Sequence, residues 1–188
     1  MSLVETSPRL TAAELAVMPD EGAFELVDGE LREKRMGAES AWIAGEVFAY
    51  IREICRYGRL GWAFGTEVGY RCFPDDPDRV RRPDASFVRA GRLPGERLPE
   101  GFVTLPPDLA VEVISPHDLA EEVERKVDEY LRAGVRLVWV LSPKTRSVRV
   151  HRLDGSISGL RGGDELTGDD VLPGFRCPVN VLFPPPAP

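Results

Sequence analysis

The chain has 188 residues, 43% hydrophobic and 29% charged, with a formal net charge of −7 and a pI near 5.0. Those values exclude disorder, collagen and coiled coil as descriptions of the whole chain, and the acidic balance disfavours a protein that coats nucleic acid through a basic face. They leave room for an enzyme that acts on nucleic acid at one local site. No apolar run is long enough for a transmembrane helix, and no basic-then-apolar leader opens the sequence. The three cysteines, Cys55, Cys72 and Cys177, are far apart and form no Cys-x-x-Cys pair, so neither a zinc site nor a disulfide framework is expected. The expectation is one domain over residues 1–183 with a Pro-rich tail at 184–188, in a reducing, cytoplasmic setting.

In chain order, Thr11 to Met18 has the pattern of a short amphipathic helix with a capping box, Thr11 and Glu14. Phe24–Val27, Asp28-Gly29 and Glu30–Lys34 predict a hairpin, because Asp-Gly supplies the left-handed turn between two strand-like runs. Ile43, Val47, Tyr50, Ile51 and Ile54 form one apolar stripe, predicting a helix from about Ala38 to Tyr57 with Gly58 as its end. Strands are expected at Trp62–Phe64, Glu67–Phe73 and Val80–Val88, then a Gly- and Pro-rich surface loop from Gly91 to Pro107. Leu109–Ile114 has the pattern of a buried strand. Ser115 as N-cap and Pro116 at the first helical position predict a helix running to Ala133 and stopping at Gly134. Leu137–Leu141 and Ser147–Leu153 are expected as strands, followed by weaker strands and turns. This order implies an α/β or α+β layer with a central mixed sheet.

Glu112 is the one acid in an otherwise apolar strand. Period-2 alternation puts it on one face with Ala110 and Ile114, and Leu109, Val111 and Val113 on the other. A buried carboxylate there needs a metal, a basic partner or an open cleft. Asp84 follows Pro83 in a similar setting and reads either as a turn residue or as a second carboxylate at the same point. Two carboxylates, a backbone carbonyl and waters suit Mg²⁺ or Mn²⁺. Lys126 lies at the edge of the apolar stripe made by Leu119, Val123, Val127, Tyr130 and Leu131. It reads either as a snorkelling lysine or as an ammonium aimed at the carboxylates. Glu121, Glu124, Asp128 and Glu129 are expected on the solvent side.

The segments Arg82–Val88, Pro107–Pro116, Lys126–Val135 and Val138–Pro143, with Phe24–Leu31 nearer the start, resemble bacterial restriction endonuclease domains of the Uma type, in the PD-(D/E)XK nuclease-like superfamily. The resemblance covers most of the chain. It implies a restriction-endonuclease-like central mixed β-sheet flanked by helices, and a metal-dependent endonuclease that hydrolyses phosphodiester bonds in DNA. It further implies Asp84 and Glu112 as metal ligands, the backbone carbonyl of Val113 as a third, and Mg²⁺ or Mn²⁺ as cofactor. The superfamily's lysine lies two residues beyond the acid, where this chain has Ile114, and the resemblance implies that Lys126 supplies the amine instead. Members often carry Glu-His where this chain has Glu39-Ser40.

Glu39 and Glu46 read either as solvated or capping residues or as groups approaching the metal from the first long helix. His117 reads as a helix-entry residue or a site neighbour, and His151 as a residue on an exposed hairpin face. Arg79, Arg81 and Arg82 read either as a phosphate-binding group or as surface ion-pair partners. Trp139 and the hairpin 137–153 offer a self-association surface, so a homodimer is a possible assembly. The alternative to the nuclease is a non-catalytic module of the same fold that binds a protein partner or nucleic acid.

Overall fold

The structure is a computed structural model that describes residues 9–116 and 118–185. His117, and the last three residues of the expected tail, lie outside the described residues.

The centre is a six-stranded mixed sheet in the order β3 (Gly61–Phe64), β4 (Ala85–Arg89), β5 (Leu109–Val113), β6 (Leu137–Ser142), β7 (Ser147–Arg152), β8 (Ile157–Arg161). Only β5 and β6 are parallel. A parallel pair needs a crossover, and α3 (Ala120–Arg132) provides it. Helix α2 (Ala38–Gly58) covers one face. Its Ile43, Val47 and Ile51 pack with Phe87, Val111, Val113, Trp139 and Leu141. Helix α3 covers the other, where Val123, Val127 and Tyr130 meet Ala110, Val138 and Val140. The alternation along β5 therefore sorts as expected, with the odd-numbered residues toward α2 and Ala110 toward α3. A small pair, β9 (Glu165–Thr167) and β10 (Arg176–Pro178), extends the core on the α2 side.

The N-terminal region forms a separate layer. Helix α1 (Ala12–Leu15) is shorter than expected but carries the full capping box, with Thr11 and Glu14 bonded reciprocally. The hairpin of β1 (Phe24–Val27) and β2 (Glu30–Glu33) forms its own two-stranded sheet. Asp28 (φ 54°) and Gly29 (φ 80°) make its left-handed turn. An isolated bridge, Leu26 to Val80, ties the hairpin to the rest of the molecule.

Several expectations need correction. Glu67–Phe73 is not a strand, and in it Tyr70 makes only isolated bridges to Arg81 and Val103. The expected strand Val80–Val88 begins at Ala85, because Pro83 has no N–H to continue a ladder. Helix α2 includes Gly58, and Arg59 (φ 52°) is the left-handed cap. Helix α3 starts at Ala120, not at Pro116. The Ser115 N–H donates to Asp118 Oδ2 at 2.7 Å, a cap-like contact, but Leu119 is extended (φ −82°, ψ 138°), so the turn does not run on into the helix. Trp139 is fully buried and packs on Phe175, with ring centroids 5.0 Å apart, so it offers nothing to a self-association surface. Among the described residues no helix is long and apolar enough to cross a membrane.

Gly29→Ala tests the turn that fixes the hairpin. A Cβ there meets Arg9 Cβ at 2.5 Å in a left-handed conformation, so the variant should lose about 1–2 kcal/mol, read as a lower urea midpoint.

Candidate active site

Strand register brings the two sequence-predicted carboxylates together. Antiparallel β4 and β5 pair Ala85 with Val111, Ser86 with Ala110 and Phe87 with Leu109. Asp84 immediately precedes β4; its N–H donates to Val111 O at 2.8 Å, one residue out of the ladder's register, so it lies against the stretch of β5 that carries Glu112. Two like charges lining one cleft repel each other. Both side chains are buried, which sharpens the problem. The surrounding chain answers it with bonds and cations.

Asp84 Oδ2 accepts the Val113 N–H at 2.6 Å, and its Oδ1 lies 2.6 Å from Lys34 Nζ. Glu112 is held from α3. The Tyr130 hydroxyl donates to Oε1 at 2.8 Å and Lys126 Nζ to Oε2 at 3.3 Å. Lys126 and Tyr130 are four residues apart, so one helix face delivers both. Burial raises the Glu112 carboxyl above its ordinary range, Lys126 and Lys34 oppose that, and the Asp84 and Glu25 charges add to it.

A third carboxylate, Glu25 on β1, completes the arrangement. Its Oε1 lies 3.2 Å from Lys126 Nζ and accepts the Arg82 N–H at 3.0 Å, and its Oε2 accepts from Arg81 at 2.8 Å. Burial alone would raise this carboxyl, but Lys126, Arg81, Lys34 and the Arg82 N–H overcome it and hold it at about 2. Burial disfavours the Lys126 charge, yet Glu112 and Glu25 keep that ammonium protonated well above its ordinary range. Arg81 is itself buried and donates its other side to Glu129 Oε2 at 2.7 Å.

These groups line one cleft of about 130 Å³, floored by Glu25, Arg81, Asp84, Glu112 and Lys126. Its rim carries Arg32, Arg35 and Arg125 against Glu33, Asp118 and Glu122. Arg32 meets Glu122 at 3.4 Å, linking the hairpin to α3 across the mouth. Among the described residues no three His, Cys, Asp or Glu side chains converge as a metal-ligating group. The two carboxylates still fit a hard cation that takes one or two carboxylates and completes its shell with water and phosphate. Asp84 Oδ1 supports that fit, since it is a buried oxygen that accepts no hydrogen bond of good geometry.

Asp84, Glu112 and Lys126 therefore share this cleft, and Val113 lines it too. Glu39 is exposed on α2, and neither it nor Glu46 lines the cleft. Ser40 is buried and donates to the Ile114 carbonyl at 3.2 Å, a packing bond behind the site. Glu129 is not on the solvent side but buried under Arg81, because Arg81 needs a second anion. His151 is buried rather than exposed, paired across the sheet with Val138. Arg79 and Arg82 are buried structural cations, not surface partners. Arg79 pairs with Asp75, and Arg82 donates to Phe24 O at 2.8 Å and pairs with Glu21.

Sequence reasoning missed Glu25, Lys34 and Tyr130. Glu25 carried a usable signal, being an acid between apolar neighbours in a strand-like run, as Glu112 is. Tyr130 was hidden in the apolar stripe of α3, and nothing local marks Lys34.

The fold defines a class: a mixed sheet between two helices, with paired carboxylates at the start of β4 and within β5. A solved structure from Anabaena variabilis ATCC 29413, described as "a putative nuclease belonging to DUF820", shares the fold. Its TM-score is 0.77, with 22% identity over 93% of this chain and 97% of that one. The Uma2 family, described as "putative restriction endonuclease", matches residues 10–180, and the chain belongs to that family. Membership supports a nuclease function. No curated protein matches the chain.

The buried ion chain makes two predictions. Arg81→Met leaves Glu25 and Glu129 without their shared cation, and should cost about 3–5 kcal/mol in a urea titration at pH 7. The Glu25 carboxyl is depressed from 4.5 to about 2, so the stability it contributes, on the order of 3 kcal/mol, is present above pH 4.5 and lost as pH falls toward 2. Urea midpoints of the wild type and Glu25→Gln should differ most at neutral pH and converge in acid.

Proposed function

We propose that the chain is a metal-dependent endonuclease that hydrolyses phosphodiester bonds in DNA. In this reading Asp84 and Glu112 hold Mg²⁺ or Mn²⁺, the Val113 carbonyl adds a ligand, and Lys126 is the catalytic amine. One observation carries it: two buried carboxylates, Asp84 just before β4 and Glu112 within β5, line one cleft with an ammonium beside Glu112. Family membership favours a nucleic acid as substrate.

A bound divalent cation supplies neutralisation of phosphate charge and a water of lowered pKa. The protein's own groups do the rest. The Val113 N–H fixes the Asp84 carboxylate, and the Tyr130 hydroxyl fixes Glu112. Glu112 and Glu25 keep Lys126 charged at neutral pH. Lys126 therefore acts as a donor that stabilises negative charge on the phosphate, not as a base that accepts a proton from water.

A second reading is a nuclease-fold module that binds a protein partner or nucleic acid without cleaving it. Its support is that Asp84, Glu112 and Glu25 each already face a cation of the chain, Lys34, Lys126 or Arg81. Incubation of supercoiled plasmid DNA with Mg²⁺ or Mn²⁺ separates the two. The nuclease reading expects nicked or linear product, with rates in Asp84→Ala and Lys126→Met lowered by about 10² or more. Wild-type protein that retards DNA in a gel without cutting it supports the module.

A further inference from the structure

We propose that Lys34 is a resident cation: its ammonium neutralises Asp84 in the metal-free protein, and a divalent ion binds by displacing it. The inference rests on the reading of Asp84 as a metal ligand and adds an exchange step to it.

Asp84 and Glu112 are both buried and line the same cleft, so the site needs positive charge whether or not a metal is present. Two ammonium groups meet that need differently. Lys126 is clamped between Glu112 and Glu25 at 3.3 and 3.2 Å. Lys34 has one carboxylate partner, Asp84 Oδ1 at 2.6 Å, and the Arg82 carbonyl at 2.5 Å. The contact with Asp84 Oδ1 is a contact of charges, since that oxygen accepts no hydrogen bond of good geometry. Lys34 therefore sits against the oxygen that is least committed to the protein.

The backbone of Lys34 is pinned, with its N–H donating to Ala23 O at 2.8 Å. Exchange is then a side-chain motion, and the side chain has somewhere to go. Lys34 and Met36 line both the cleft and a second groove of about 690 Å³. That groove holds Asp20, Glu21 and Glu67, so an ammonium leaving Asp84 enters an acidic environment. Two cations cannot share Asp84 Oδ1 without strong repulsion at such short range. Metal entry and Lys34 departure are therefore coupled.

Calorimetric titration of Mn²⁺ into the full chain tests this in the wild type, Lys34→Met and Lys34→Arg, with folding of each checked by circular dichroism. Lys34→Gln replaces the methionine variant if that one does not fold. Removing the competing charge should tighten Mn²⁺ binding about tenfold or more, and Lys34→Arg, which keeps the charge, should stay near the wild type. A structural defect would act in the opposite direction and weaken binding. Mn²⁺ binding to the wild type with equal or weaker binding to the neutral variant overturns the exchange and leaves the metal reading intact. No Mn²⁺ binding to any of the proteins overturns both.

Discussion

Two buried carboxylates brought into one cleft are the constraint around which the rest of the molecule is arranged. Asp84 leads into β4 and its Oδ2 accepts the Val113 N–H of β5, and hydrophobic burial of β5 on both faces fixes where Glu112 points, since a one-residue slip would turn Glu112 toward α2 and Val111 toward α3. With Asp84 and Glu112 in one cleft, the fold must bring positive charge to them. It does so from two sides. Helix α3 contributes Lys126 and, one turn on, the Tyr130 hydroxyl. The N-terminal hairpin contributes Lys34 directly, and Glu25 as the second clamp on Lys126.

The hairpin could not do this on its own. It forms a two-stranded sheet outside the central one, and isolated two-stranded hairpins are marginal in water. What docks it is the bridge of Leu26 to Val80, the Arg82 N–H on Glu25, and Arg81 between Glu25 and Glu129. A buried ion chain of this kind is a poor source of net stability compared with apolar packing, but breaking it is costly. Here it fixes where the hairpin meets the sheet. The segment Val80–Asp84 thus has two roles. Its arginines anchor the hairpin, and its last residue belongs to the cleft.

Most of the fold could be read from the sequence because it rests on periodicity. The stripes of α2 and α3 and the alternation in β5 are local signals of burial, and the Asp-Gly turn is a local signal of backbone conformation. The failures came where a tertiary partner decides the outcome. Val80–Asp84 runs directly into the strand-like Ala85–Val88, but Pro83 and the cross-connections of Val80 and Arg81 keep it out of the sheet. Ser115-Pro116 has the pattern of a helix start, and the Asp118 carboxylate takes the Ser115 N–H as a cap would, yet Leu119 is extended and the helix begins only at Ala120. Arg81 and Glu129 are charged and far apart in sequence, so each alone predicts solvent exposure, and only their meeting makes burial tolerable. In the cleft, Asp84, Glu112 and Lys126 could be named because each breaks a local pattern or sits at its edge. Lys34 breaks none, and its importance comes from what the fold sets beside it.

The location of the amine has its own physical consequence. A lysine at position 114 would share a strand with Glu112 and extend from the same face, so its distance from the acid would be set by backbone geometry alone. In this chain Ile114 fills that position, and its carbonyl is taken by Ser40 from α2. The ammonium beside Glu112 comes from α3, as Lys126, so its position depends on how that helix packs on Val138 and Val140. One helix then controls both oxygens of Glu112, through Lys126 and Tyr130, while Glu25 ties the same lysine to the hairpin. Any shift of α3 along the sheet would disturb both contacts to Glu112 together. Lys126 thus makes the cleft a junction of α3, the central sheet and the hairpin, and that explains why so much buried charge is spent on holding them in register.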